Sequence, residues 1–251
     1  MVALFDVHCH LDDKAFALDV EEVVKRAEEV GVRFVICNGV NPASNRAILS
    51  LAERFPIIKP ALGLYPTDAL TFDVDKEIAF IREHAEEIIA IGEVGVDYHW
   101  IKDEGEKERE RENFRKAVAL ALEIKKPLII HSRSAEKDTL DILEEMGAKH
   151  VDLHCFGGNL KLAKRAVQLG FYLSIPPNIV RSEHFKRMVE ELPLSHLLLE
   201  TDAPYLGPEK EGRNEPANVL FTVREIAKIK GLEEEEVRNH LFFNFQRLFL
   251  T

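Results

Sequence analysis

Short apolar runs alternate with amphipathic stretches along the whole chain, and the two patterns have different periods. Eight runs read as strands, over residues 3–8, 33–38, 57–62, 88–93, 128–131, 150–154, 171–175 and 196–201. Between them apolar residues recur at helical spacing, which places them on one side of a helix. One stripe is Val20, Val23, Val24 and Ala27; a long one is Phe114, Ala117, Val118, Ala121 and Leu122, ending before Pro127. Others run through Leu140 and Leu143, through Leu160, Ala163 and Val167, through Leu220, Val223 and Ala227, and through Val237, Leu241, Phe245 and Leu248. Local signals agree with these boundaries. Asn41 before Pro42 reads as a helix cap followed by a first-turn proline, and Asp19 three residues before Glu22 offers a capping box. The glutamates at 233–236 fall in the first turn of the last helix, where the helix dipole favours negative charge.

Regular strand–helix alternation implies parallel pairing through right-handed crossovers. Eight such units in 251 residues predict one closed (β/α)8 TIM-type barrel spanning residues 1–251, with an extra C-terminal helix; the usual size of this fold is about 250 residues. An open, doubly wound sheet is the alternative. No linker-like stretch divides the chain.

A barrel of this kind places its chemistry at the C-terminal ends of the strands. The first strand ends in Asp6, His8 and His10, which alternate with single residues and so share one face. Buried imidazoles need partners, so this triplet is either a metal grip or a His-x-His on a solvated edge. The remaining tips favour the grip: strand four ends in Glu93, strand five in His131, strand six in His154 and strand eight in Asp202. Four imidazoles and two carboxylates exceed the needs of one tetrahedral ion and suit two ions sharing a carboxylate. Glu93 is the natural bridge, with His8, His10 and Asp202 on one ion and His131 and His154 on the other. The mixed nitrogen and oxygen set favours Zn or Mn, while two carboxylates keep Mg open. Two divalent ions about 3.5–4 Å apart polarise an oxyanion, activate water and stabilise a leaving oxygen. Asp202 can also accept the water's proton. Asp6 and Glu200 share the inward parity of the ligands, and are expected behind them as orienting groups. The scissile bond is left open between phosphoester and amide.

Composition narrows the setting. The chain has 46% hydrophobic residues, enough for a large core, and a formal net charge of −11 from 33 Lys+Arg against 44 Asp+Glu. Such acidity disfavours broad nonspecific nucleic-acid binding but not a phosphate held locally by metal ions. Cys9, Cys37 and Cys155 lack the spacing of a metal or redox motif, and read as small buried hydrophobes in a reducing compartment. With no basic leader and no membrane-length apolar run, the expected location is cytoplasmic, with no membrane and no protein partner. Lys161, Lys164 and Arg165 read as a solvated helix face, and His84, His99, His150, His184, His196 and His240 as ordinary histidines.

Taken in chain order, six segments resemble the motifs of the TatD family: residues 6–12 (DVHCHLD), 92–98 (GEVGVDY), 126–133 (KPLIIHSR), 154–158 (HCFGG), 200–206 (ETDAPYL) and 213–216 (RNEP). The C-terminal NFQRLF at 244–249 is similar too, so the resemblance covers essentially the whole chain. It implies a metal-dependent barrel hydrolase of the amidohydrolase type, a deoxyribonuclease acting on DNA ends, often 3′–5′ exonucleolytic. The family's ligands fall on the same six residues. Its usual Gly-x-His-Pro after strand three is here Gly63-Leu64-Tyr65-Pro66, so Tyr65 stands where a histidine would touch substrate. Arg133 and Arg213 lie just past strand ends as candidate phosphate clamps, with Asn214 in support; the alternative for each arginine is a surface salt bridge. The loop from 207 to 212 is short for the family, which bears on substrate length. Two other readings stand beside the nuclease: a hydrolase of a small ester, cyclic amide or phosphoester, and a non-catalytic metal-bound scaffold. PHP-type phosphoesterases share the opening motif, but the segments at 200–204 and 213–216 point away from them.

Overall fold

The computed structural model describes residues 3–250. Eight strands, β1 (Leu4–Cys9), β2 (Val32–Asn38), β3 (Ile58–Leu64), β4 (Ala90–Asp97), β5 (Leu128–Arg133), β6 (Val151–Leu153), β7 (Tyr172–Ile175) and β8 (Leu197–Leu199), form one parallel sheet in sequential order. A bridge between Cys9 and Ala203 joins the last strand's extension to the first, so the sheet curls into a nearly closed TIM-type barrel. The open-sheet alternative is thereby set aside.

The crossovers are α1 (Val20–Glu29), α2 (Pro42–Arg54), α3 (Val74–Glu83), α4 (Glu104–Ile124), α5 (Glu136–Glu145), α6 (Leu160–Gln168) and α7 (Glu183–Glu191). After β8 come α8 (Val219–Lys230) and the extra C-terminal helix α9 (Glu234–Phe249). The expected apolar stripes point inward in α1, α4, α5, α6, α8 and α9, save for Leu122 of α4, which is exposed; no stripe is predicted for α2, α3 or α7. Asn41 caps α2 as its sequence suggests, accepting from the N–H groups of Ala43 and Ser44. Asp19 does not form the capping box: it precedes α1, but its carboxylate is bound by Arg213 instead.

Alternation along β1 explains how one strand serves both core and site. Phe5 points outward and stacks on Phe245 of α9 at 4.6 Å between ring centroids, anchoring the C-terminal helix. Asp6 and His8 point the other way, fully buried.

Among the strand ends that depart from the sequence reading, two shape the site. β4 runs past Glu93 to Asp97, pairing Gly95, Val96 and Asp97 with His131, Ser132 and Arg133 of β5. Gly95 makes this possible, since a Cβ there would sit 1.8 Å from the His131 carbonyl oxygen. β8 is shorter than expected because the chain bends at its tip: the N–H groups of Thr201 and Asp202 both turn to the His8 carbonyl, at 3.3 and 2.8 Å. Asp202 takes a left-handed φ of 54° there, a conformation that Asp tolerates better than most residues.

Candidate metal centre and active site

All six strand-tip residues converge at one mouth of the barrel. The Nε2 atoms of His8 and His10 lie 3.2 Å apart. Each is 3.5 Å from Glu93 Oε2, and they are 3.6 and 3.5 Å from Asp202 Oδ1. The second oxygen of Glu93 faces the other way: Oε1 is 2.8 Å from His131 Nδ1 and 3.1 Å from His154 Nε2. Those two nitrogens are 3.2 Å apart. One carboxylate thus presents a different oxygen to each of two imidazole pairs.

The groups behind these donors fix which nitrogen faces inward. His10 Nδ1 donates to the Asn38 carbonyl (3.0 Å), so the neutral ring presents its Nε2 lone pair toward Glu93 and Asp202. His131 Nε2 donates to Asp97 Oδ2 (3.0 Å), leaving Nδ1 inward. His154 Nδ1 lies 3.5 Å from Glu200 Oε2, and Glu200 is itself held by the Cys155 N–H and Ser174 Oγ. Glu200 therefore stands where the sequence parity placed it. Asp6 is different from its expected role. Its hydrogen bonds among the described residues come from the N–H groups of His8 and Thr201 and the Thr201 hydroxyl, holding the backbone from which His8 and Asp202 project. The orienting groups that sequence reasoning missed are the Asn38 carbonyl and Asp97. Asp97 had a signal, since it shares the alternation of Glu93 through Gly95, but the predicted strand stops at residue 93.

Electrostatics show what this cluster requires. Burial alone would raise the pKa of Glu93, but the facing imidazoles of His154 and His8 hold it well below the ordinary carboxylate range. Asp202 is likewise held low against its burial, first by His10. The adjacent imidazoles move apart: burial pushes His8 down to about 4, whereas Asp202 and Glu93 outweigh burial at His10 and lift it to about 9. Two buried anions facing four imidazoles thus call for positive charge among them. His131 gives the sharpest case. Its Nε2–H is committed to Asp97, so a lone pair on Nδ1 confronts Glu93 Oε1 at 2.8 Å unless a proton or cation lies between them. The convergent donors, in three overlapping groups around Glu93 and His154, fit a divalent cation.

Two predictions follow from the Asp97 corner. Replacing Asp97 with Asn removes the anion that orients His131 and is expected to weaken metal affinity 10–100-fold, as loss of such a partner does elsewhere; chelator competition measures it. Glu110 of α4 is fully buried, and accepts the Asp97 N–H through Oε2 at 3.0 Å. Its Oε1 has no hydrogen-bond partner among the described residues. Burial, foremost, raises its pKa from 4.5 to about 7. A carboxyl with a raised folded-state pKa stabilises fully below its unfolded value and less as pH climbs through the folded one. Wild type should therefore lose roughly 1–3 kcal/mol relative to Glu110→Gln between pH 4 and pH 8, read as the difference in denaturant unfolding free energy. A pH-independent difference would show that folding leaves the pKa of this carboxyl unchanged.

A cavity of about 520 Å³ opens above the cluster, lined by His10, Glu93, His131, His154 and Asp202 together with Tyr65, Arg133, Trp100 and Tyr205. Asp12, Asp13 and Asp68 line its β1–β3 side. Arg133 is exposed, and its guanidinium forms no hydrogen bond or ion pair among the described residues; it lies 5.4 Å from the Trp100 ring centroid. Tyr65 donates its hydroxyl to Asp97 Oδ2 (3.0 Å), so its proton is already engaged and a ring face remains for the cavity. Arg213 and Asn214, expected as phosphate clamps, do not line it. Arg213 binds Asp19 bidentately, donates to the Ala15 carbonyl and covers Phe16. Asn214 is buried and ties the Thr201 and Tyr205 carbonyls together. Their donors shape the loop after β8. Lys164 and Arg165 are paired with Glu191, Asp141 and Glu144, in keeping with a solvated helix face.

A family model described as TatD related DNase matches residues 5–250. The chain belongs to this family. It is 35% identical over 260 residues to the human deoxyribonuclease TATDN3, covering 99% of this chain and 95% of that protein. It is 36% identical over 254 residues to the uncharacterized metal-dependent hydrolase YabD of Bacillus subtilis, with 98% of each covered. Among solved structures, the TatD homologue YJJV from Escherichia coli k12 superposes with a TM-score of 0.90 at 27% identity, over 99% of this chain and 98% of that one. The TatD relatives are thus named as hydrolases, in keeping with an enzyme that cleaves ester bonds. Among the described residues, no helix is long and apolar enough to cross a membrane.

Proposed function

We propose that this TatD-family chain is a deoxyribonuclease that hydrolyses DNA phosphodiesters from an end, in the 3′–5′ direction, with two divalent ions. The observation that carries the reading is the split of Glu93, whose two oxygens face separate donor sets. His8, His10, Glu93 Oε2 and Asp202 would hold one ion, and Glu93 Oε1, His131 and His154 the other. Two such ions, whether Mg, Mn or Zn, supply Lewis acidity toward a phosphoryl oxygen and lower the pKa of water. The side chains do the rest. Asp202, with its side chain 15% exposed, is the carboxylate of the cluster that opens most to the cavity and accepts the attacking water's proton. Arg133 has its donors free for a phosphate oxygen. Asp97 and Asn38 keep the imidazoles of His131 and His10 from turning away.

With Mn or Mg, the purified chain should release nucleotides from end-labelled single-stranded DNA. EDTA should stop release and added metal restore it. A 3′ label freed before a 5′ label would support the direction. Elemental analysis should find two ions per chain. The three aspartates on the β1–β3 side favour a second reading, a small ester, amide or phosphoester substrate, because they repel a polyanion. Strong turnover of such a substrate at matched metal occupancy, beside inert DNA, would replace the nuclease reading.

A further inference from the structure

Trp100 is the single tryptophan of the chain and belongs to none of the motifs discussed above. It stands just beyond β4 with 62% of its surface exposed, at the wall of the cavity over the metal centre. Its ring is held from two directions. The Arg133 guanidinium lies 5.4 Å from its centroid, and the His99 ring meets it edge-on at 4.6 Å. An exposed indole fixed beside an unpaired guanidinium is the combination that receives a base on the ring and a phosphate on the cation. The β1–β3 side carries Asp12, Asp13 and Asp68, which repel a phosphate chain. Charge across the mouth therefore directs a polyanion to the β4–β5 side, over Trp100.

We infer that Trp100 is a specificity-determining residue that stacks the nucleobase next to the phosphodiester being cleaved, with Arg133 gripping the adjoining phosphate. The inference rests on the nuclease reading and deepens it: the substrate class becomes base-bearing phosphodiesters. Since no other tryptophan contributes, stacking is visible directly as quenching of intrinsic fluorescence.

The experiment uses metal-loaded protein and stopped-flow mixing with oligothymidylate, or with an oligonucleotide whose terminal residues are base-free tetrahydrofuran sugars. Rapid quenching by the first and not by the second is expected. Trp100→Ala should lower kcat/KM about tenfold or more on oligothymidylate and less than twofold on the base-free end, while Trp100→Phe keeps most of the activity. DNA hydrolysed without quenching, or equal losses on both substrates, would overturn the stacking role and leave the nuclease reading intact. DNA neither bound nor cleaved by wild type, beside turnover of a small ester, would remove the nuclease reading and this inference with it.

Discussion

Glu93→Ala will reduce hydrolysis roughly thousandfold or more and lower bound metal to one ion per chain or fewer. The expectation follows from geometry: this carboxylate turns one oxygen to each imidazole pair, so its removal strips a donor from each side at once. Losing several kcal/mol of charge stabilisation at the reacting oxygens corresponds to that factor, at about 1.4 kcal/mol for each tenfold. Glu93→Gln separates charge from bulk. It keeps the volume between the pairs but withdraws the anion, and should lose nearly as much activity. Elemental analysis and initial rates on the same preparations give both numbers. Full metal content with full activity in Glu93→Ala would show that the two donor sets do not share an ion-binding carboxylate.

Asp202→Asn should lower kcat by about 10²–10⁴, the range for a lost general base, with a smaller change in metal content and in KM. Asn keeps one carbonyl oxygen as a ligand and tolerates the left-handed φ that Asp202 adopts. What it loses is the ability to take a proton. His10, His8 and His154 hold the carboxyl of Asp202 low against its burial, so it is ionised through the neutral range. In wild type kcat should therefore fall only at acid pH, and the variant should lose that acidic limb. Retained activity with normal metal content would move the proton to another acceptor; lost metal would make Asp202 a ligand and nothing more.

Much of this site was legible because a strand's alternation is rigid. Once β1, β4, β5, β6 and β8 were located by apolar runs, their terminal side chains had few places to point, and His8, His10, Glu93, His131, His154 and Asp202 had to meet. What was not legible depended on contacts between distant segments. Asp19 looks like a helix cap in its own sequence, yet a guanidinium 194 residues away takes its carboxylate. That same pairing removes Arg213 from the substrate list, and no local pattern announces it. Asn214 reads as a polar loop residue free to bind ligand, whereas the loop's turned carbonyls draw its amide inward. The role of Asp6 also shifted, because the bend at Thr201 offers it two donors, an N–H and a hydroxyl. Trp100 belongs to no helical or strand periodicity, and its place over the site follows from the extension of β4 to Asp97.

The bend that docks Thr201 and Asp202 on the His8 carbonyl also sets when, in the life of the molecule, the centre comes into being. Asp6 and Thr201 are 195 residues apart, and their hydrogen bonds close the seam on which the mouth is built. A ribosome delivers His8 and His10 at the outset but the last carboxylate only after most of the chain has been made. An unfinished polypeptide, or one cut short by a premature stop, therefore has imidazoles without Asp202 and a seam without its final strand. The full donor set therefore exists only once the chain has been made and folded through Asp202.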